Sequence, residues 1–149
     1  MTDEHESHMR EALALAGEAA ARGEVPVGCV VTRGGSVVGR GRNMREETGS
    51  AAAHAEMLAI EEACRALGTW KLTDCAIYVT LEPCPMCAGA VVNSRIPVVV
   101  FGARDPVSGS CGSVINLFEE RYGHRPAVYG GVLERECSAL LSDFFRSIR

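Results

Sequence analysis

Two cysteines and a histidine–glutamate pair are the side chains of this chain that could act together as a metal centre. Cys84 and Cys87 stand three residues apart in the segment PCPMC, and His54 precedes Glu56 by two in AHAE. Zinc prefers thiolate and imidazole ligands in a tetrahedral set. Residues three apart share one face of a helix, so both thiols can reach one ion. His54 would be the third ligand and would leave the fourth position for water.

Each half of this pattern is weak when it stands alone. A lone C-x-x-C also suits a thiol–disulfide redox pair, and a lone histidine is more often structural than a ligand. A redox pair, however, would leave His54 and Glu56 without a role. A closed zinc site would need a fourth ligand, and the candidates lack motif spacing to the other three; they are Cys111, His124, His5 and His8. Together the halves match the H-x-E…P-C-x-x-C signature of zinc-dependent nucleobase deaminases.

The chemistry of this signature gives the ligands and the glutamate different tasks. Zinc lowers the pKa of a bound water toward neutrality and so makes hydroxide available. Glu56 is not a ligand in this scheme; it takes a proton from the water, gives one to a ring nitrogen and helps the amino group leave as ammonia. The sequence therefore predicts Glu56 as the catalytic residue and His54, Cys84 and Cys87 as the metal ligands.

Alternating helices and strands have to position these residues. Apolar spacing and turn residues predict, in chain order, helix 5–22, strands 25–33 and 36–43, helix 54–67, strand 75–81, helix 84–94, strands 97–103 and 127–132, and a helix from 133. The polar segments 44–52 and 104–113 are predicted loops. Helices between strands favour parallel pairing after the opening hairpin. We therefore expect a three-layer α/β/α fold with a mixed five-stranded sheet.

Length and composition limit the other possibilities. The 149 residues fit one domain covering 1–149, and 47% hydrophobic with 23% charged residues is ordinary for a soluble globular protein. No secretory pattern or apolar run of roughly 18 residues is present, so we expect no membrane span. Seven cysteines, an odd number lying mostly in apolar stretches, indicate a reducing, cytoplasmic setting. A net charge of −4 argues against general nucleic-acid affinity but leaves room for a small RNA site.

Several segments beyond the zinc motif resemble one family of deaminases. They are EVPVGCV, Asn43, AHAE, YVTLEPCPMCAGA, SRI, VVFGARD and LLSDFFR. These segments are similar to bacterial tRNA-specific adenosine deaminases over nearly the whole chain, roughly from Met9 to Arg149. The resemblance implies a cytidine deaminase-like fold, a homodimer with one Zn²⁺ per subunit, and deamination of adenosine to inosine at the wobble position of the tRNA anticodon stem-loop. The alternative is a deaminase of a free nucleobase or nucleoside, of guanine or cytosine type, because these share the zinc motif.

The same resemblance implies a set of substrate contacts. Asn43 would bond the flipped base, Pro26 and Val27 would wall the base pocket, Arg104 and Asp105 would contact nucleotides, and Phe144, Phe145, Arg146 and Arg149 would lie near the RNA. The residues themselves also allow structural roles. Asp105 precedes a proline and is a good turn former. Phe144 lies on the apolar stripe of its helix and suits the core, whereas Phe145 at the margin suits RNA stacking.

Overall fold

The computed structural model describes residues 2–148, which form five helices around one sheet. Helices α1–α5 span Thr2–Ala21, Arg45–Thr48, Ala55–Leu67, Pro85–Ser94 and Glu134–Ser147. Strands β1–β5 span Gly28–Arg33, Ser36–Arg42, Cys75–Leu81, Val98–Ala103 and Ala127–Tyr129. Arg149 and the RNA contact that the sequence predicts for it lie outside the described residues. No helix within 2–148 has both the length and the apolar character needed to cross a membrane.

The sheet has five strands in the order β2-β1-β3-β4-β5. Strand β1 pairs antiparallel with β2 and β3, whereas β3, β4 and β5 run parallel. The turn between β1 and β2 uses Gly34 and Gly35, whose φ angles are +57° and +82°. Two consecutive positive φ values match the twist of a two-residue hairpin turn, and glycine adopts them without strain. The mixed five-stranded sheet predicted from the sequence is confirmed.

Helices cover both faces of the sheet. One core lies between the sheet and α3 and α4, and the other lies between the sheet and α1 and α5. Because successive side chains of a strand point to opposite faces, β4 sends Val99 and Phe101 into the first core and Val100 into the second. The continuous apolar run of β4 therefore reflects burial on both faces.

The structure differs from the sequence-based elements in several places: α1 begins at Thr2, β1 begins only at Gly28, and Leu117–Glu119 form a short 3-10 helix that the sequence did not predict. The predicted loop 44–52 contains the short helix α2, whose first-turn amides at Glu46 and Glu47 donate to the buried carboxylate of Glu24 at 3.1 and 2.7 Å. Strand β5 ends at Tyr129, earlier than predicted, and Gly131 follows with a φ of +86°. The bonds that hold α2 come from Glu24, more than twenty residues earlier in the chain, which local patterns do not reveal.

The ends of the elements create the place for a site. Strand β3 ends at Leu81, and α4 begins at Pro85 only a few residues later. Helix α3 begins at Ala55 on the same face of the sheet. In parallel sheets ligands bind beyond the carboxyl ends of the strands, where helix N-termini converge. The entrances of α3 and α4 therefore lie at the edge where such folds bind their substrates.

Candidate active site

His54 and Cys84 occupy equivalent positions on two neighbouring helices. Each is the N-cap residue, His54 of α3 and Cys84 of α4, and each has an extended backbone. Cys87 lies in the first turn of α4 and is completely buried. The Nδ1 atom of His54 lies 3.6 Å from the Sγ atom of Cys84 and 3.6 Å from that of Cys87. The fold therefore brings together the three side chains whose spacing suggested a metal centre.

The geometry of this cluster fits zinc. Tetrahedral zinc with Zn–S near 2.3 Å and Zn–N near 2.0–2.1 Å holds nitrogen and sulfur ligands about 3.6 Å apart. The two observed N···S distances are 3.6 Å, and the ligand atoms all lie within 4.8 Å of one another. Among residues 2–148 this is the group of histidine, cysteine and acidic side chains that converges in this way. Three ligands of the type that zinc prefers can thus hold one ion.

The other histidines considered as a fourth ligand have partners elsewhere. His124 Nε2 donates to the carbonyl oxygen of Ile96 at 2.7 Å. His5 Nδ1 lies 3.0 Å from the hydroxyl of Tyr78, which belongs to the core on the opposite face of the sheet. His8 Nδ1 lies 3.0 Å from Glu11 on the same helix. These placements favour an open site over a closed four-ligand site.

The thiols and the imidazole influence one another's ionisation. Hydrogen bonding from Cys87, and next from His54, lowers the pKa of the Cys84 thiol to about 4. The hydrogen bond with Cys84 raises the pKa of His54 above its usual value. Hydrogen bonding to the Cys84 sulfur and burial both raise the pKa of Cys87. Since the thiolate is the form that binds metal, Cys84 is prepared for that role.

Glu56 stands in the first turn of α3, directly beside this cluster. Its side chain is only 4% exposed. Burial disfavours the charged form and raises the pKa of the Glu56 carboxyl to about 7. A carboxyl group with such a pKa can both hold and release a proton near neutral pH. The sequence placed Glu56 next to the metal ligands, and the structure gives it an environment suited to proton transfer.

A cavity of about 160 Å³ opens next to the cluster. Glu56, His54 and Cys84 line it, and so do three residues of the predicted substrate set, namely Asn43, Val27 and Asp105. Its other lining residues are Val25, Arg45, Ala55, Leu81, Glu82 and Ser108. The cavity therefore adjoins Glu56, His54 and Cys84, which would take part in the chemistry.

The remaining predicted contacts lie outside the cavity lining. Pro26 is buried next to Val27. Arg104 is exposed, with its guanidinium 5.5 Å from the centre of the Phe101 ring. The last two residues belong to α5, which covers the opposite face of the sheet; they are Phe145, 43% exposed, and Arg146, which pairs with Asp143. The structure does not bring these four side chains to the cavity.

Two of the cavity residues are also tied to the backbone. Asn43 Nδ2 donates to the carbonyl of Val25 at 3.2 Å, and its Oδ1 accepts from the amide of Arg45 at 3.3 Å. One N–H and one lone pair of this amide remain for a ligand. Asp105 accepts from the amide of Val107 at 2.9 Å and from the Ser108 hydroxyl at 2.9 Å. The turn role of Asp105 and its place at the cavity therefore coexist.

Sequence reasoning missed three polar lining residues, Glu82, Arg45 and Ser108. Glu82 is 2% exposed, and a glutamate at the end of the apolar strand CAIYVTL could have signalled a buried anion. Burial opposes its charge, but hydrogen bonds from Ser113, and from the amides of Asp105 and Cys111, outweigh this and lower the pKa of the Glu82 carboxyl. Arg45 and Ser108 carry no such local signal.

Comparison with known proteins gives a consistent family. The family described as the cytidine and deoxycytidylate deaminase zinc-binding region matches residues 2–103. The tRNA-specific adenosine deaminase of Bacillus subtilis (strain 168) is 54% identical over 145 residues, which cover 97% of this chain and 90% of that protein.

Solved structures agree with this comparison. One comes from a study of A-to-I editing by tRNA:A34 deaminases at the wobble position of transfer RNA. It is 40% identical with a TM-score of 0.87, covering 91% of this chain and 99% of the other. The guanine deaminase of Bacillus subtilis is 37% identical with a TM-score of 0.64, covering 67% and 64%.

Proposed function

This chain belongs to the zinc-binding deaminase family and, within it, to the tRNA-specific adenosine deaminases, and we propose that it converts adenosine to inosine at the wobble position of tRNA. The observation that carries this proposal is the cluster of His54, Cys84 and Cys87 with Glu56 beside it at one small cavity. The 54% identity to an enzyme of that activity supports the choice of adenosine in tRNA.

The cofactor is zinc, which His54, Cys84 and Cys87 would hold. When bound, zinc supplies the Lewis acidity that makes water a nucleophile near neutral pH. The chain holds its ligands at two adjacent helix entrances, where the helix dipoles favour the thiolate forms. Because the ligands come from rigid elements, the reacting centre is fixed relative to the cavity wall.

Glu56 moves the protons of the reaction. Water adds to the carbon that carries the amino group of adenine, and the C–N bond then breaks to release ammonia. The Glu56 carboxylate accepts one proton of the attacking water and passes it to the neighbouring ring nitrogen. It then carries the proton of the new hydroxyl group to the amino group, so that the C–N bond breaks, ammonia leaves and the carbonyl of inosine forms. A pKa raised by burial to about 7 suits a group that must accept and donate in turn.

The cavity shape favours a single base over a duplex. A volume of about 160 Å³ walled by Val27 and Asn43 receives one base that has left its stack. Anticodon loops present such unstacked bases, and RNA recognition favours them. The substrate element that we propose is therefore the anticodon stem-loop, with adenosine 34 in the cavity. Asn43 orients the base through its free amide hydrogen or lone pair.

The proposed enzyme is one domain covering 1–149. Strand β5 and helix α5 lie beyond the segment that matches the family, but β5 pairs with β4 and α5 packs on the same sheet. The free thiols of all seven cysteines suit the reducing cytoplasm, where tRNA is modified. We place the enzyme there.

We also propose a homodimer through the exposed face of α4. A groove of about 450 Å³ runs along this helix between Met57, Met86 and Tyr122, and none of its lining residues is charged. Met86 is 37% and Tyr122 59% exposed. An uncharged groove suits a second protein copy better than the phosphates of RNA. Light scattering of wild type and Tyr122→Asp tests this, since the substitution should shift the mass toward the monomer.

Incubation with an arginine tRNA that carries adenosine at the wobble position tests the activity. Mass spectrometry of the digested RNA should show inosine at that position and nowhere else. As a control, ammonia release is measured with free guanine, cytosine, adenosine and cytidine as alternative substrates. Activity on these small molecules, without inosine in the tRNA, would favour the guanine or cytosine type of deaminase instead.

A further inference from the structure

We propose that Glu82 is a positioning residue for substrate binding, because its carboxylate holds the loop 104–113 against the rim of the cavity. This inference rests on the proposed function, since the loop borders the space in which we place the base. Glu82 lies outside the proton-transfer chemistry assigned to Glu56. Its effect on the substrate would pass through the loop that it anchors.

The hydrogen bonds of Glu82 reach across the loop. Its Oε1 atom accepts from the amide of Asp105 at 3.1 Å and from the hydroxyl of Ser113. Its Oε2 atom accepts from the amides of Cys111 and Ser113, each at 3.0 Å. Both ends of the loop are thus tied to one carboxylate that precedes them by 23 to 31 residues.

A carboxylate is the side chain that these four donors require. An ionised carboxylate only accepts hydrogen bonds, so both oxygens can face N–H and O–H groups. A glutamine would turn its NH₂ group toward one of the two pairs of donors. Glu82 is 2% exposed, so water would replace the lost bonds poorly. The charged carboxylate of Glu82 therefore suits the four N–H and O–H donors of the loop.

The loop is also packed tightly around this anchor. An added Cβ at Gly109 would stand 2.4 Å from the carbonyl oxygen of Asp105 and 2.5 Å from Cδ of Glu82. The amide of Gly109 donates to that same Asp105 oxygen at 2.9 Å. The loop therefore packs tightly against the Glu82 carboxylate, and its position depends on that side chain.

The anchored loop carries two residues of the cavity wall. Asp105 and Ser108 line the cavity, and their mutual hydrogen bond fixes the turn between them. Glu82 itself lines the cavity from the side of β3. Holding the amide of Asp105 therefore sets where the carboxylate of Asp105 and the hydroxyl of Ser108 face the bound nucleotide.

The test compares Glu82→Gln with a matched control, Glu62→Gln. Glu62 also accepts a backbone hydrogen bond, from Arg40 at 3.2 Å, but on an exposed surface away from the cavity. Inosine formation on an anticodon stem-loop gives kcat and KM, and zinc analysis gives the metal content. For Glu82→Gln we expect KM to rise about ten-fold, kcat to change less than about two-fold and zinc to stay bound, as for loss of buried hydrogen bonds remote from the chemistry. Glu62→Gln should match wild type.

Hydrogen exchange and a milder variant separate positioning from loss of folding. The amides of Asp105, Cys111 and Ser113 should exchange faster in Glu82→Gln, while those of β3 and β4 keep their protection. Ser113→Ala removes one hydroxyl donor and should raise KM by only about two- to three-fold, in line with one ordinary hydrogen bond.

An unchanged KM for Glu82→Gln would overturn the inference, whether or not the loop amides exchange faster. An unchanged KM together with a lower kcat and loss of zinc would instead make Glu82 a support of the metal site. If wild type forms no inosine, the proposed function fails. The anchoring role of Glu82 is then tested by titration alone, which compares the stem-loop affinity of Glu82→Gln with that of wild type. Weaker affinity of Glu82→Gln supports the anchor, and equal affinity overturns it.

Discussion

Glu56 and Glu82 are buried glutamates that line the same cavity, yet their surroundings shift their pKa values in opposite directions. At the entrance of α3, burial dominates and raises the pKa of Glu56 to about 7. After β3, burial also opposes the charge of Glu82, but hydrogen bonds from the loop outweigh it. The environment therefore suits Glu56 to the proton transfer that we propose for it, whereas it favours the charged form of Glu82.

Glu24 is a second buried glutamate near the cavity whose carboxylate accepts backbone amides. Its buried carboxylate accepts the amides of Glu46 and Glu47 and so fixes the segment that carries Asn43 and Arg45. Glu24 and Glu82 thus each anchor a segment that contributes to the cavity lining, Glu24 the segment with Arg45 and Glu82 the loop with Asp105. A carboxylate that accepts several backbone amides holds the site in shape, whereas we propose that Glu56 moves protons.

Removal of zinc should have the largest effect. It should stop the chemistry at the Glu56 end of the cavity but leave the loop anchored by Glu82 unchanged. Dialysis against a strong chelator is expected to abolish inosine formation, because the reacting water loses its activation. The loop amides of Asp105 and Cys111 should keep their protection from exchange, since Glu82 binds them directly. Restored zinc should restore turnover. Loss of loop protection on chelation would show that the two regions are not independent.

The substitution Glu56→Gln is expected to lower kcat by about 10³-fold, within the range that general acid–base catalysis contributes. Glutamine keeps the shape of the side chain but cannot carry the proton. Metal analysis should find zinc unchanged, because Glu56 is not among the ligands. Single-turnover inosine formation measures the rate. A rate equal to that of wild type would contradict the assignment of the proton shuttle.

The same substitution at the two glutamates should affect stability differently. Glu82→Gln is expected to lower the free energy of unfolding by about 2 kcal/mol, because buried amides lose their acceptors. Glu56→Gln should change it by less than about 1 kcal/mol, because it removes a costly buried charge. Urea unfolding of the zinc-loaded proteins measures both values. Equal losses would mean that Glu56 is also a structural anchor.

A pair of glycine substitutions gives the smallest predicted effect. Gly109→Ala must displace the carbonyl of Asp105 or the Glu82 carboxylate, so we expect a loss of about 1–2 kcal/mol, as for overpacking, and a higher KM. Gly17→Ala on α1 meets no atom within 4 Å and should gain about 0.5–1 kcal/mol, as for glycine in a helix. Thermal unfolding and kinetics check both. An unchanged KM for Gly109→Ala would argue against tight loop packing.

Much of the fold and of the reacting centre follows from local patterns. Apolar spacing and the turn at Gly34 and Gly35 predicted the hairpin and the alternation of helices and strands, because these depend on residues near one another. The mixed sheet followed from that order of elements through general rules of strand connection. His54, Cys84 and Cys87 were predicted from two short motifs, each at a helix entry, which match a known signature although they lie 30 residues apart. Patterns of this kind are visible in the chain before it folds.

The rest of the site depends on contacts between distant segments. The RNA contacts that the family resemblance implies for Phe145 and Arg146 stay predictions, and only the fold shows that α5 packs on the face of the sheet opposite α3 and α4. No local pattern indicated Arg45 or Ser108, which line the cavity on segments that Glu24 and Glu82 hold by hydrogen bonds. Such bonds span more than twenty residues and leave no period in the sequence.

The sequence by itself determined the types of ligand, the glutamate beside them and the class of chemistry, because metal coordination requires particular side chains at particular spacings. Only the tertiary structure decided how the acidic side chains around the cavity divide their tasks. Burial and the number of N–H donors set the ionisation of a carboxyl group, and both quantities exist only when the strands, helices and loops have come together.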